Sequence, residues 1–194
     1  MKKPNFVKFL TVILMSVAGV GLVGGSFFIN RHFSENNESN LIVKDAAQYK
    51  KILNQTWLNK TQIKHFPQEI PVDATNTRFI YSPGYLNGGN ILQLRIKQPL
   101  AKIKKLQSQY QAAAKRKYRG GSTNDHVNLP NGVPTTFFYT SGEDSSQDFP
   151  STSEILVLGV EDRGREGFKW NHGSSYGVAV DDSVSEIVYW AESW

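Results

Sequence analysis

Hydrophobic and polar positions divide this chain into one long uncharged run and a series of short patterned segments behind it. Phe9 to Ile29 reads FLTVILMSVAGVGLVGGSFFI, 21 residues without a charge. As a helix rising ~1.5 Å per residue it would be ~31 Å long, the depth of a bilayer's hydrocarbon core. Lys2, Lys3 and Lys8 precede it, whereas Glu35 and Glu38 soon follow Arg31 and His32. This asymmetry predicts a transmembrane anchor at 9–29, a cytoplasmic basic terminus at 1–8 and a domain outside the cytoplasm. The rival reading is a signal peptide cleaved near Gly24 and Gly25, which would lead to secretion. Gly21 and Gly25, one turn apart, also match the spacing of helix dimerisation, a route to a homodimer through the span.

Residues 30–42 then form a linker, polar from Arg31 to Asn40. The rest, 43–194, reads as one domain. Val43 to Leu53 has helical spacing, and the prolines at Pro67 and Pro71 break regular structure beyond it. Thr77 to Ser82 and Ile91 to Lys97 are strand-like. In the second, Leu92, Leu94 and Ile96 alternate with Gln93, Arg95 and Lys97, the period of a half-buried strand. The turn-forming residues between them predict a hairpin. Pro99 to Tyr118 predicts a long amphipathic helix, with Leu100, Ile103, Leu106, Tyr110 and Ala114 on one side. Val133 to Thr140 reads as a strand and Ile155 to Val160 as a strand buried on both faces. Tyr176 to Val180 and Glu186 to Trp190 bracket a turn and predict a second hairpin. Short connections favour antiparallel pairing, so the expected class is α+β: about six mainly antiparallel strands, one long helix and a short one near the start.

Composition changes this picture in two places. There is no cysteine, which excludes disulfides, a Cys-type zinc site, a thiol nucleophile and a Cys-linked lipid, and favours a bacterial origin. The net charge of +5 is uneven. Three of the 22 basic residues precede the apolar run, leaving 19 against 17 acidic ones. The domain is therefore near neutral, and the basic pI is no argument for nucleic-acid binding.

Candidate chemistry is sparse. Gly173-Ser174-Ser175-Tyr176-Gly177 fits G-x-S-x-G, but it leads into a strand and no histidine follows it, as a hydrolase order requires. The expectation is a tight turn before a strand. His172 lies near Glu161, Asp162, Glu166 and Asp181 in sequence. A histidine beside carboxylates can act as an acid–base pair, so His172, Glu161, Asp162 and Asp181 are the candidate catalytic residues. No ligand spacing such as H-x-x-x-H appears, and no metal site or cofactor is expected. Glu143, Asp144 and Asp148 form an acidic loop without the pattern of a calcium site. The basic cluster of Lys102, Lys104, Lys105, Lys115, Arg116, Lys117 and Arg119 makes Lys102, Lys105, Lys115, Arg116 and Arg119 candidates for an anionic ligand, against the plainer role of a solvated helix face. Late aromatics, among them Phe137, Tyr176, Tyr189 and Trp190, are expected in the core.

The expected function is a membrane-anchored, non-enzymatic binding or accessory module contacting an envelope protein or an anionic envelope component, with no nucleic acid. An envelope hydrolase using His172 with nearby carboxylates is the alternative.

Overall fold

Alternation along Leu92, Leu94 and Ile96 puts an apolar row on one face of a strand, and that strand forms as β2 (Asn90–Lys97). It pairs antiparallel with β1 (Thr75–Ser82), Phe79 lying opposite Leu94. On its other side it pairs with β6 (Glu186–Ser193), which brings Tyr189 opposite Leu94. β6 continues to β5 (Gly173–Asp181), β5 to β4 (Glu154–Asp162) and β4 to β3 (Arg116–Arg119), every pair antiparallel. The sheet order is β1-β2-β6-β5-β4-β3, so the last strand inserts at the centre and joins two hairpins. The architecture is α+β.

This computed structural model describes residues 42–57, 59–83, 89–121, 149–167 and 172–194, within one compact unit, Ile42–Trp194. The expected span at Phe9 to Ile29, its Gly21 and Gly25 pair, the linker as far as Leu41, the strand at Val133 to Thr140 and the acidic loop lie outside the described residues. Among the described residues no helix is long and apolar enough to cross a membrane.

One face of the sheet carries the larger core. Leu92, Leu94, Ile96, Leu156, Val178, Val180, Ile187 and Tyr189 face an irregular cover made by residues 43–67. The cover starts with Val43, whose backbone bridges to Tyr81, rather than with the expected helix. Winding begins at a 3-10 turn, Ala46–Gln48, capped by Asp45 Oδ1 accepting from the Ala47 N–H at 2.9 Å. It passes through α1 (Tyr49–Lys51) into a π-turn, Ile52–Thr56. Lys60 Nζ donates to the Leu53 and Asn54 carbonyls at 2.9 and 2.7 Å, satisfying acceptors that the turn's end exposes. Tyr49, Ile52, Leu53, Trp57, Ile63 and Phe66 are all buried in this layer.

Pro99 precedes α2 (Leu100–Ala113), 14 residues that cross from β2 to the far edge of the sheet. The expected long amphipathic helix from Pro99 to Tyr118 is not what forms. Only Ile103 is fully buried on α2, Leu106 and Tyr110 pack partly, and Leu100 is exposed. Residues 116–119 form β3 instead, because the backbone of β4 offers them a ladder: Arg116 sits opposite Val157 and Arg119 opposite Glu154. Pairing at a sheet edge outweighs a helical preference worth only tenths of a kcal/mol per residue.

The second face is mixed. Ile155, Val157, Ala179, Val188 and Trp190 form a smaller cluster with Phe149. Gln93 and Arg95 are also buried, which corrects the half-buried reading of β2: both of its faces are covered. Arg95 Nε and Glu186 Oε2 meet at 2.7 Å, close in charge though off hydrogen-bond alignment. Trp190 rests on Gly177, where a Cβ would stand 2.7 Å from the indole and 2.3 Å from the Leu156 carbonyl. The glycines of the G-x-S-x-G run therefore do not form a turn ahead of a strand. They lie within β5 itself, and Gly177 makes room for a tryptophan.

Candidate functional site

Four separate stretches of sequence meet at the end of β4 and β5 marked by Glu161 and Ser174, and leave an open cavity of about 220 Å³ between them. The cover supplies Asn59, Thr61 and Gln62. β4 supplies Gly159, Val160 and Glu161; β5 supplies Ser174 and Tyr176; Lys115 reaches in from the turn before β3. The volume is below the ~300 Å³ of ordinary small-molecule pockets, so it suits one small polar group or the end of a larger molecule.

Local structure explains how each group arrives. A bulge between Val157 and Gly159 resets the register of β4, after which Gly159 faces Tyr176. A Cβ on Gly159 would lie 2.3 Å from the Tyr176 ring, so only glycine lets that ring lie flat against the strand. Asn59 starts the 3-10 turn Lys60–Ile63, and its Oδ1 accepts from the Thr61 N–H at 3.1 Å. Gln62 is buried, and its Oε1 accepts from Trp57 Nε1 at 3.3 Å. Ser174 is 3% exposed, and its hydroxyl has no protein partner among the described residues. The Lys115 ammonium has no ion pair among them either. Glu161 sits on the rim, bonded to Arg163 Nη2 at 2.6 Å, a contact that holds its carboxyl below the usual range.

Packed against Tyr176 of the cavity lining is a histidine that the pattern of the sequence did not mark. His65 Nε2 donates to the carbonyls of Gly177 and Trp190 at 2.9 and 3.1 Å. Its ring packs among Phe66, Tyr176 and Tyr189. Desolvation lowers its pKa from 6.5 to about 4 despite those carbonyls, so it is neutral at pH 7. The Tyr110 hydroxyl donates to the His65 carbonyl at 2.8 Å, and its ring meets that of Tyr189 edge-on, 6.2 Å between centroids. Burial pushes the Tyr49, Tyr110 and Tyr189 phenols upward. This aromatic and hydroxyl stack fixes the cover to the sheet next to Gln62.

The candidates named from sequence separate. Glu161, Asp162 and His172 come together at one end of the β4–β5 hairpin: Asp162 lies opposite Gly173, and the Arg163 N–H donates to the His172 carbonyl at 2.7 Å. His172 is exposed and, like Asp162, does not line the cavity; Asp162 Oδ1 accepts from the Gly164 N–H at 2.8 Å. Asp181 lies at the opposite end of β5, ~26 Å away at ~3.3 Å per residue. There it accepts from the Ser183 N–H, the Ser183 hydroxyl and the Thr152 hydroxyl, which staple the β5–β6 turn. Among the basic candidates, Lys115 alone reaches the cavity. Lys102 pairs with Asp73 at 2.6 Å, Lys105 is exposed on α2, and Arg116 and Arg119 lie on the edge strand β3. Among the described residues no group of three or more His, Asp or Glu is placed to hold a metal ion.

Comparison with protein-family models, with curated proteins and with solved structures gives no match to this chain.

Proposed function

We propose that this chain is a single-pass membrane protein, held by residues 9–29, whose domain serves outside the cytoplasm as a non-enzymatic binding or accessory module at the cell envelope. The anchor rests on the uncharged run and its flanking lysines. Binding rests on the cavity, and one observation carries it: a nearly buried serine hydroxyl and a lysine ammonium open onto a cavity without being used by the fold. Ser174 and Gln62 are buried residues that border the cavity while Lys115 offers its charge from the exposed rim, so a ligand seated there would meet donors that the fold does not use. Partners within reach are an envelope protein or an anionic envelope component; nucleic acid is not among them.

A hydrolase centred on His172 is the second reading, favoured by the place of His172 beside Glu161 and Asp162 on one hairpin. It draws no support from Asp181. One experiment separates the two. Full-length chain in detergent is sedimented with purified envelope fragments from the cells that express it. Binding is expected to persist in His172→Ala and to fall in Thr61→Trp, which fills the exposed rim of the cavity. Equal binding by Thr61→Trp and the parent would overturn the module reading, and release of envelope fragments by the parent but not by His172→Ala would establish the hydrolase.

A further inference from the structure

We infer that the cavity recognises a carboxylate, held by Lys115 and by the amides of Gln62 and Asn59. The inference rests on the binding reading above and gives it a ligand class. It follows from which atoms of the cavity are already spent. An indole N–H can only donate, so its partner on Gln62 must be the amide oxygen. The Thr61 backbone N–H likewise can only donate, so it fixes the Asn59 oxygen. Both amides are thereby oriented with their NH2 groups left over. In each, the acceptor is consumed inside the protein and the donors remain.

The remaining groups tilt the balance the same way. Lys115 adds an ammonium with three N–H donors, and Ser174 adds a hydroxyl. The strongest acceptor on the lining is the Glu161 carboxylate, and one of its oxygens is already bonded to Arg163. A donor-rich recess with a single cation of its own calls for a ligand of acceptors carrying about one negative charge. A carboxylate fits this demand. A phosphate, bearing up to two charges near neutral pH, is normally gathered by arginine forks or several cations, and here it would face Glu161 across a small space. The second Glu161 oxygen then suits an N–H or O–H beside the carboxylate. Two ligand sources share that chemistry: the C-terminal carboxylate of a peptide, with its preceding N–H, and a sugar acid, with its neighbouring hydroxyl.

The test uses the isotope-labelled full-length chain in detergent, titrated by NMR with paired probes. N-acetylglycine is compared with N-acetylglycinamide, and glucuronate with glucose. In at least one pair the acid is expected to bind about tenfold or more tightly than its neutral partner, from one charge-assisted contact. The acid is also expected to shift the amides of residues 59–62, 115 and 174–176. Lys115→Gln, an exposed change that leaves the core untouched, is expected to abolish the preference; Lys115→Arg is expected to keep it. The pair that responds identifies the source. If acid and neutral forms shift those amides equally, the binding module stands and the carboxylate inference is overturned. If no probe shifts them, the inference is overturned, and the module reading is judged separately by the sedimentation of Thr61→Trp.

Discussion

The two ends of the β5–β6 hairpin are built from similar residue types and use them in opposite ways. At the Asp181 end, polar groups consume one another. Asp181 takes three donors from Thr152 and Ser183, Arg95 lies against Glu186, and Gln98 bonds both Asp73 and the Ser185 carbonyl. At the Ser174 end, oxygens are used and donors are left over: Gln62, Asn59, Lys115 and Ser174 border a cavity. Buried polarity costs free energy wherever it occurs. Where it is internally paired it specifies the fold, and where it is left over it marks a place for something else.

That contrast can be broken by stability measurements. The largest effect is expected from Glu186→Ala, which removes the carboxylate that Arg95 Nε meets in a covered position; urea denaturation should show a loss of about 3 kcal/mol or more. Next comes acid. The folded-state pKa of His65, about 4, lies below its unfolded value of 6.5, so between these values the unfolded chain binds the extra proton. The stability from keeping His65 neutral is full above pH 6.5 and is lost as pH falls toward 4, by roughly 3 kcal/mol, and His65→Gln should flatten that part of the profile. Because His65 anchors the cover that carries Gln62, ligand binding should weaken over the same pH range. Asp181→Ala should cost about 2 kcal/mol, since it removes the buried acceptor shared by one turn N–H and two hydroxyls. Smallest of all, Ser174→Ala should change stability by less than ~0.5 kcal/mol, because no protein bond is lost. A loss from Ser174→Ala as large as that from Asp181→Ala would erase the difference between the ends.

Local pattern carried much of the fold. β2 announces itself through Leu92, Leu94 and Ile96, and the β5–β6 hairpin through two apolar runs around Asp181 to Ser185. β3 was hidden because nothing in Arg-Lys-Tyr-Arg favours a strand until the edge of β4 is beside it. The covered second face of β2 was hidden for a related reason: Gln93 and Arg95 read as solvent-facing until partners such as Glu186 arrive from far along the chain. The cavity was least legible. Its residues come from positions 59–62, 115 and 159–176, and what makes Gln62 a donor is an indole five residues away acting through a tertiary contact. Lys115 stood within the basic cluster, and Glu161 among the carboxylates near His172. Their joint place in one recess depends on the bulge at Gly159 and on the aromatic stack around His65.

The most direct test of the contrast is an amide-shift map of the full-length chain at saturating N-acetylglycine or glucuronate. The account predicts shifts confined to residues 59–62, 115, 159–161 and 174–176, with 73, 95–98 and 181–186 unmoved. Shifts centred on the Asp181 end, or spread evenly over both, would contradict it.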